Sequence, residues 1–73
     1  MEFSLVQSYA SVYRNLIDVH VARHGKSDGL RFARVKLGPV LKHLSEDDRQ
    51  QLVGAFELVE YEAGVLGLAT RAR

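Results

Sequence analysis

Apolar residues recur at helical spacing through the first third of the chain. Over residues 5–24 they form one wide stripe with polar residues on the opposite side, which predicts an amphipathic helix. Ser4 and Gln7 have capping-box spacing at its start, and Gly25 suits a left-handed stop at its end. We expect the stripe to pack in the core. Its members are Val6, Tyr9, Tyr13, Leu16, Ile17 and His20, with Leu5, Val12 and Val19 beside them.

The pattern after this helix has two interpretations. Residues 25–29 read Gly-Lys-Ser-Asp-Gly, a composition typical of a turn. In residues 30–37 the apolar side chains share a helical face, between Asp28 as a candidate N-cap and Gly38 as a candidate stop. Partial alternation within the same segment allows a short strand instead. We favour a short helix.

A further strong helix is predicted in the last part of the chain. Pro39 suits the first position of a short helical turn through Leu44, after a break at Gly38. Ser45 then caps a helix, with Asp48 at capping-box spacing. Beyond residue 60 the pattern allows a short β-hairpin over 61–68, and residues 63–73 are expected to fray unless a partner orders them. The core stripe of this last helix is Leu52, Ala55, Phe56 and Val59.

These elements predict a single, mainly α domain spanning residues 1–73. The long N-terminal helix should pack on the helix from Ser45, with the short middle helix crossing both. The sequence has no Cys, no apolar run of the ~20 residues that a bilayer requires, and no basic-then-apolar start typical of a secretory signal. We therefore expect a soluble cytoplasmic protein without a membrane partner, and its oligomeric state stays open.

Opposite charges are concentrated in two adjoining segments. Residues 23–43, the basic segment, carry six Lys and Arg against one acid, a net +5. Residues 44–62, the acidic segment, carry six acids against one Arg, a net −5. Arg31, Arg34 and Lys36 are costly to bury and should face water or a partner. The two segments either pair with each other as a weak surface network or present their charges to another molecule.

Two motifs bear on metal and nucleotide chemistry, and neither is complete. His20 and His24 have a helical spacing that can hold zinc, but a third ligand would have to come from His43 or a distant acid. We expect His20 to pack on the stripe and His24 to lie at the helix C-terminus. The tripeptide Gly25-Lys26-Ser27 matches the end of a phosphate-binding loop, but it lacks the earlier glycine and follows a helix instead of a strand. We predict no catalytic residue, metal or cofactor, and expect a non-enzymatic protein.

Residues 39–64 resemble the start of cyclic-nucleotide-binding domains. The resemblance is carried by the run from Pro39 to Arg49, PVLKHLSEDDR, and by EYEAG at residues 60–64. In that family a leucine-rich helix leads into a first strand that ends near a glycine. The sequence has no phosphate-binding cassette after this point, so the resemblance implies a capped helix followed by a strand, and no ligand.

In size, charge division and lack of catalytic residues, the chain is similar to small bacteriophage proteins that bind the host RNA polymerase and reprogramme transcription. The basic stretch Arg23–Lys36 and the acidic cluster Glu46–Asp48 carry this resemblance. It implies a regulator that docks on a larger protein complex. The predicted partner-binding residues are Arg23, His24, Lys26, Arg31, Arg34, Lys36 and Lys42 of the basic segment, and Glu46, Asp47 and Asp48 of the acidic segment.

The alternative is a nucleic-acid-binding module that works through phosphate contacts. Phe32 is the only aromatic residue in the basic segment, so a stacking surface for single strands is thin. A helix-turn-helix arrangement would put the acidic helix in the recognition position, where phosphates repel it. These features disfavour sequence-specific binding to duplex DNA and leave auxiliary contacts open.

Overall fold

Three helices make up the described part of the protein. A computed structural model describes residues 5–68, in which α1 spans Leu5–His24, α2 spans Lys26–Leu41 and α3 spans Glu46–Glu62. The mainly α prediction is confirmed, and α1 has the predicted bounds. The predicted cap at Ser4 and the last five residues of the predicted tail, 69–73, lie outside the described residues.

A single residue, Gly25, joins α1 to α2. Its φ of 91° and ψ of 171° lie in a region that is open essentially only to glycine, and its N–H donates to the Val21 carbonyl at 2.9 Å. The predicted turn over 25–29 and the predicted N-cap at Asp28 are wrong, because α2 already begins at Lys26. Asp28 lies in the first turn of α2, where a negative charge is favourable.

The middle helix is much longer than predicted. It has 16 residues, so the strand alternative for 30–37 and the break at Gly38 and Pro39 are both wrong. Gly38 does not adopt a positive φ, and Pro39 lies inside the helix. Pro39 removes only the backbone hydrogen bond to the carbonyl of Val35, and this part of α2 is exposed to water. The expected helical turn through Leu44 is the end of α2 followed by a short turn.

Ser45 caps α3 as predicted. The Asp48 N–H donates to the Ser45 Oγ at 3.1 Å, which satisfies one of the free N–H groups at the start of the helix. The predicted core stripe is also confirmed, since Leu52 and Val59 are buried and the other two stripe residues, Ala55 and Phe56, are partly buried.

The end of α3 differs from the prediction. Residues 5–68 contain no strand, so the hairpin over 61–68 and the strand implied by the cyclic-nucleotide resemblance are both absent there. Gly64, with a φ of 77°, donates to the Tyr61 carbonyl at 3.1 Å, and Val65 donates to the Glu60 carbonyl at 2.9 Å. These two bonds form a Schellman stop, and the buried Val65 supplies its apolar contact.

The core lies along α1. This helix packs against both of the others, as predicted for α3, whereas α2 and α3 scarcely contact each other. The expectation that the middle helix crosses both others is therefore wrong, since it packs mainly on α1. The core cluster consists of Tyr13 and Ile17 of α1, Leu30, Ala33 and Leu37 of α2, Val59 of α3, and Val65 beyond it.

Gly29 brings the backbones of α1 and α2 into contact. A Cβ at this position would lie 2.5 Å from the Val21 Cα and 2.6 Å from its N. No side chain fits there unless the helices separate. The glycine that looked like the end of a turn is therefore the residue that permits the α1–α2 packing.

Candidate protein-binding groove and charged surface

A polar network of three residues links all three helices. Glu60 of α3 is 3% exposed, and its carboxylate accepts a hydrogen bond of 2.5 Å from the Tyr13 hydroxyl of α1. Arg34 of α2 donates from Nη2 to both carboxylate oxygens, at 2.9 and 3.0 Å, and from Nε at 3.2 Å. A buried carboxylate is tolerated when it is paired and hydrogen-bonded, and these two partners meet both conditions.

The network changes the proton affinity of both partners of Glu60. Burial raises the pKa of the Tyr13 hydroxyl well above its ordinary value, and the hydrogen bond to Glu60 raises it further, because an ionised phenol would lie beside a carboxylate away from water. Burial by itself lowers the pKa of Arg34, but hydrogen bonding with Tyr13 and Glu60 outweighs it, and the net pKa shift is upward. Tyr13 is therefore a neutral donor and Arg34 a cation at physiological pH.

An apolar groove of about 330 Å³ opens between α2 and α3. The network lies beside it, because all three members of the network also line the groove. The Tyr13 ring packs at 4.9 Å, centroid to centroid, from the Phe56 ring. The remaining lining residues are Leu37, Gly38 and Leu41 of α2, and Val53, Phe56 and Glu57 of α3. Apolar groups therefore dominate the groove, with charged groups along its sides.

The predicted partner-binding residues are exposed, except for the half-buried Asp48. Within residues 5–68, the cations Arg23, Lys26, Lys36 and Lys42 take part in no ion pair. Arg31 pairs with Asp28 at 3.3 Å, and both of these side chains are more than half exposed. A surface pair of this kind contributes little, so Arg31 also stays accessible.

One ion pair joins the basic segment to the acidic segment within the described residues, and it is the pair between Arg34 and Glu60. The pair between Arg49 and Glu46, at 3.8 Å, lies inside the acidic segment. Arg14, which belongs to neither segment, pairs with Asp18 and Glu62. The two segments therefore do not neutralise each other in the monomer. Arg34, expected to face water or a partner, is half-exposed and tied to its own chain.

The acidic start of α3 has a structural role of its own. Glu46, Asp47 and Asp48 occupy the first turn, where each acid stabilises the helix by about 0.3–1 kcal/mol. Glu46 also accepts a hydrogen bond from Gln50 at 3.1 Å. Asp47 is exposed and has no ion pair within residues 5–68, which leaves its charge open to a partner.

His20, His24 and Phe32 form a cluster of rings between α1 and α2. The rings of His24 and Phe32 are 4.4 Å apart, and the His20 ring lies 6.0 Å from Phe32 and 6.1 Å from His24. The Nδ1 atom of His20 is buried and has no hydrogen-bond partner in the described part of the chain. No group of three or more potential metal-ligating side chains comes together among residues 5–68, so His43 does not complete a site with the other two histidines.

Sequence reasoning missed the role of Glu60 and the groove. Glu60 was counted only as one of the acids, although it lies four residues after Phe56, next to the apolar stripe of α3. A carboxylate at such a position indicates a buried pair. The identity of Arg34 as its partner depends on the packing of α2 and α3 around α1, which no local pattern shows.

Comparison with known proteins adds no relative. The sequence matches no protein-family model, and neither curated proteins nor solved structures yield a match. No helix within residues 5–68 combines the length and the apolar content needed to cross a membrane.

Proposed function

We propose that this chain is a non-enzymatic regulatory protein that docks on a larger protein assembly through the basic surface of α2 and the acidic start of α3. The observation that carries the proposal is the set of exposed lysines Lys26, Lys36 and Lys42, which have no ion pair within residues 5–68. Complementary charge sets the rate of encounter and the orientation of a complex more than its affinity. Two oppositely charged surfaces therefore suit a small protein that must find and orient itself on a large partner.

The transcription machinery is the partner class we propose, with RNA polymerase as the first candidate. Support comes from the similarity in size, charge division and lack of catalytic residues to small bacteriophage regulators. The groove adds an apolar contact surface beside the charges. Interfaces commonly combine such an apolar centre with a charged rim.

The test is the binding of the fluorescently labelled chain to purified bacterial RNA polymerase. The double variant Lys26→Glu, Lys36→Glu should bind at least about tenfold more weakly, because both changes reverse exposed charges. The control Lys26→Arg, Lys36→Arg keeps the charges and should bind like the unmodified chain. A glutamate at position 26 lies in the first turn of α2, where it is favourable for the helix, and position 36 is exposed, so the fold should persist. Equal binding by all three proteins would contradict the proposal.

A nucleic-acid-binding module is the second candidate, because the same unpaired lysines could contact phosphates. A salt titration separates the two candidates, since each phosphate contact adds about 0.9 to the log–log slope on B-DNA. Tight binding to duplex DNA with a steep slope would favour this second function. Negligible binding to DNA and RNA at physiological salt would favour docking on protein.

A further inference from the structure

We propose that the groove between α2 and α3 binds the apolar face of an amphipathic helix from the partner, with an acidic edge of that helix along α2 and a basic edge along α3. This inference rests on the proposed function, because it names the segment of the partner that the chain would hold. Docking by complementary charge alone would not involve the groove, and this inference gives the groove a role in binding.

The shape of the groove fits a helix that inserts side chains one turn apart. Leu37 and Leu41 lie four residues apart on α2, so they present one apolar row. Val53 and Phe56 form the facing row on α3. A helix that docks in a groove contributes anchors three or four residues apart, which is the same repeat. Val53 is 53% exposed, so a bound helix would remove apolar surface from water.

The charges along the groove differ in sign between its two sides. Arg34 lines the α2 side but is paired with Glu60. The positive charge offered on this side comes from the flanking residues Arg31 and Lys42, which lie three and four residues from the lining positions 34 and 38. Glu57 lines the α3 side, and the carboxylate of Glu60 is already satisfied by its two partners. An apolar helix with one acidic and one basic edge would therefore bind in one orientation about its long axis.

Other occupants fit these features less well. Phosphates would meet Glu57 and a mainly apolar lining, and the lining arginine, Arg34, is already paired with Glu60. The groove itself therefore offers a nucleic acid few phosphate contacts. A small molecule is normally enclosed over most of its surface, whereas Val53 at the side of this groove stays half-exposed. A helix needs only one face covered.

The experiment uses a short synthetic helical peptide with a leucine stripe, glutamates along one edge and lysines along the other. A second peptide has the same composition with the two edges exchanged. The full chain should bind the first peptide, and NMR shifts should move most at Leu37, Val53 and Phe56. The exchanged peptide should bind at least about threefold more weakly, a modest factor because exposed charge pairs contribute little.

Two matched pairs of variants test whether the peptide binds in the groove. Gly38 lines the groove and Gly54 does not, and an added Cβ meets nothing within 4 Å at either position. Gly38→Leu should therefore fill the groove and weaken peptide binding at least about tenfold, whereas Gly54→Leu should leave it within about twofold. Val53→Glu should weaken binding in the same way, and Leu58→Glu should not, although both residues are more than half exposed, at 53% and 56%.

The outcomes are distinct from those of polymerase binding. Loss of peptide binding in Gly38→Leu and Val53→Glu, with both control variants normal, supports the groove. No binding of either peptide, equal binding of both peptides, or normal binding by Gly38→Leu overturns it. The peptide assay contains no polymerase, so a negative result there would overturn only the groove proposal. The lysine-dependent docking would then be judged by the polymerase experiment alone.

Discussion

Arg34 and Glu60 are 26 residues apart in the chain and form the ion pair that joins α2 to α3. The backbones of the two helices make few close contacts with each other, so this pair is the polar link across the groove, whose two sides are otherwise held by their packing on α1. It also supplies the positive partner that a carboxylate 3% exposed requires. The candidate site therefore contains one buried carboxylate and the half-exposed arginine that reaches it from the surface.

Removing the arginine should destabilise the fold. In Arg34→Ala, Glu60 keeps only the Tyr13 hydroxyl as a side-chain partner. Breaking a buried pair costs about 3–5 kcal/mol, but the Arg34 side chain is 44% exposed and water would replace part of the interaction. We expect the free energy of unfolding to fall by about 1–3 kcal/mol, measured by urea denaturation.

Arg31→Ala is the matched control for this prediction. Arg31 lies one turn earlier on α2, and its partner Asp28 is exposed. Its loss should change the free energy of unfolding by no more than about 0.5 kcal/mol. If both substitutions had the same effect, Arg34 would not be stabilising the buried carboxylate.

Alkaline pH should weaken the fold through Tyr13. The ordinary phenol pKa is 10.0, and the pKa of Tyr13 in the folded chain lies above it because of burial and the hydrogen bond to Glu60. Below pH 10 the hydroxyl keeps its proton in both states, so its contribution to stability is fully present. Above pH 10 the unfolded chain releases this proton first, and stability is lost as the pH rises toward the raised pKa of the folded state. The free energy of unfolding, measured from about pH 9 to about pH 11, should show this fall.

Tyr13→Phe should reduce the alkaline loss of stability. This variant should also be less stable near neutral pH by about 1–2 kcal/mol, since a hydrogen bond to a buried carboxylate is missing. Tyr61→Phe, at a side chain 68% exposed, should retain the alkaline loss. An unchanged pH dependence in Tyr13→Phe would show that another group is responsible.

The close approach of α1 and α2 predicts a strong effect at Gly29. In Gly29→Ala the new Cβ would meet the Val21 backbone at 2.5 Å, and backbone atoms cannot move aside as a flexible side chain can. We expect a loss of about 1–3 kcal/mol or more in the free energy of unfolding, measured by thermal denaturation.

Gly54→Ala is the opposite case, because its Cβ would point into open space. It should stabilise the chain by about 0.5–1 kcal/mol through the better helix propensity of alanine. Similar destabilisation by the two alanines would mean that the helix contact at Gly29 is not tight.

Local sequence patterns predicted a helix correctly where no turn or breaker residue interrupted the apolar stripe. The uninterrupted stripe of α1, ended by Gly25, set both bounds of that helix. The end of α2 was missed because Gly38 and Pro39 were read as a stop, whereas Leu37 and Leu41 both pack on the core. Tertiary packing therefore extends the helix past a weak breaker.

The candidate site could be predicted only in part. The exposed lysines and the acidic start of α3 were recognisable from charge alone, and within residues 5–68 most of them take part in no ion pair. The pairing of Arg34 with Glu60 was not recognisable from the sequence, because it depends on how α2 and α3 are placed around α1. The apolar groove was missed for the same reason, since Phe56, predicted in the core stripe of α3, lines the groove together with residues of α2 only because both helices pack on α1.

The central claim is that the exposed charges bind another protein, and quantitative capture from a nuclease-treated bacterial lysate tests it most directly. Three immobilised proteins would be compared by mass spectrometry: the unmodified chain, Lys26→Glu with Lys36→Glu, and Lys26→Arg with Lys36→Arg. The account predicts one discrete assembly that survives nuclease treatment, is retained by the arginine variant and is lost with the glutamate variant. Equal capture by the glutamate variant, or capture that disappears with the nucleic acid, would contradict it.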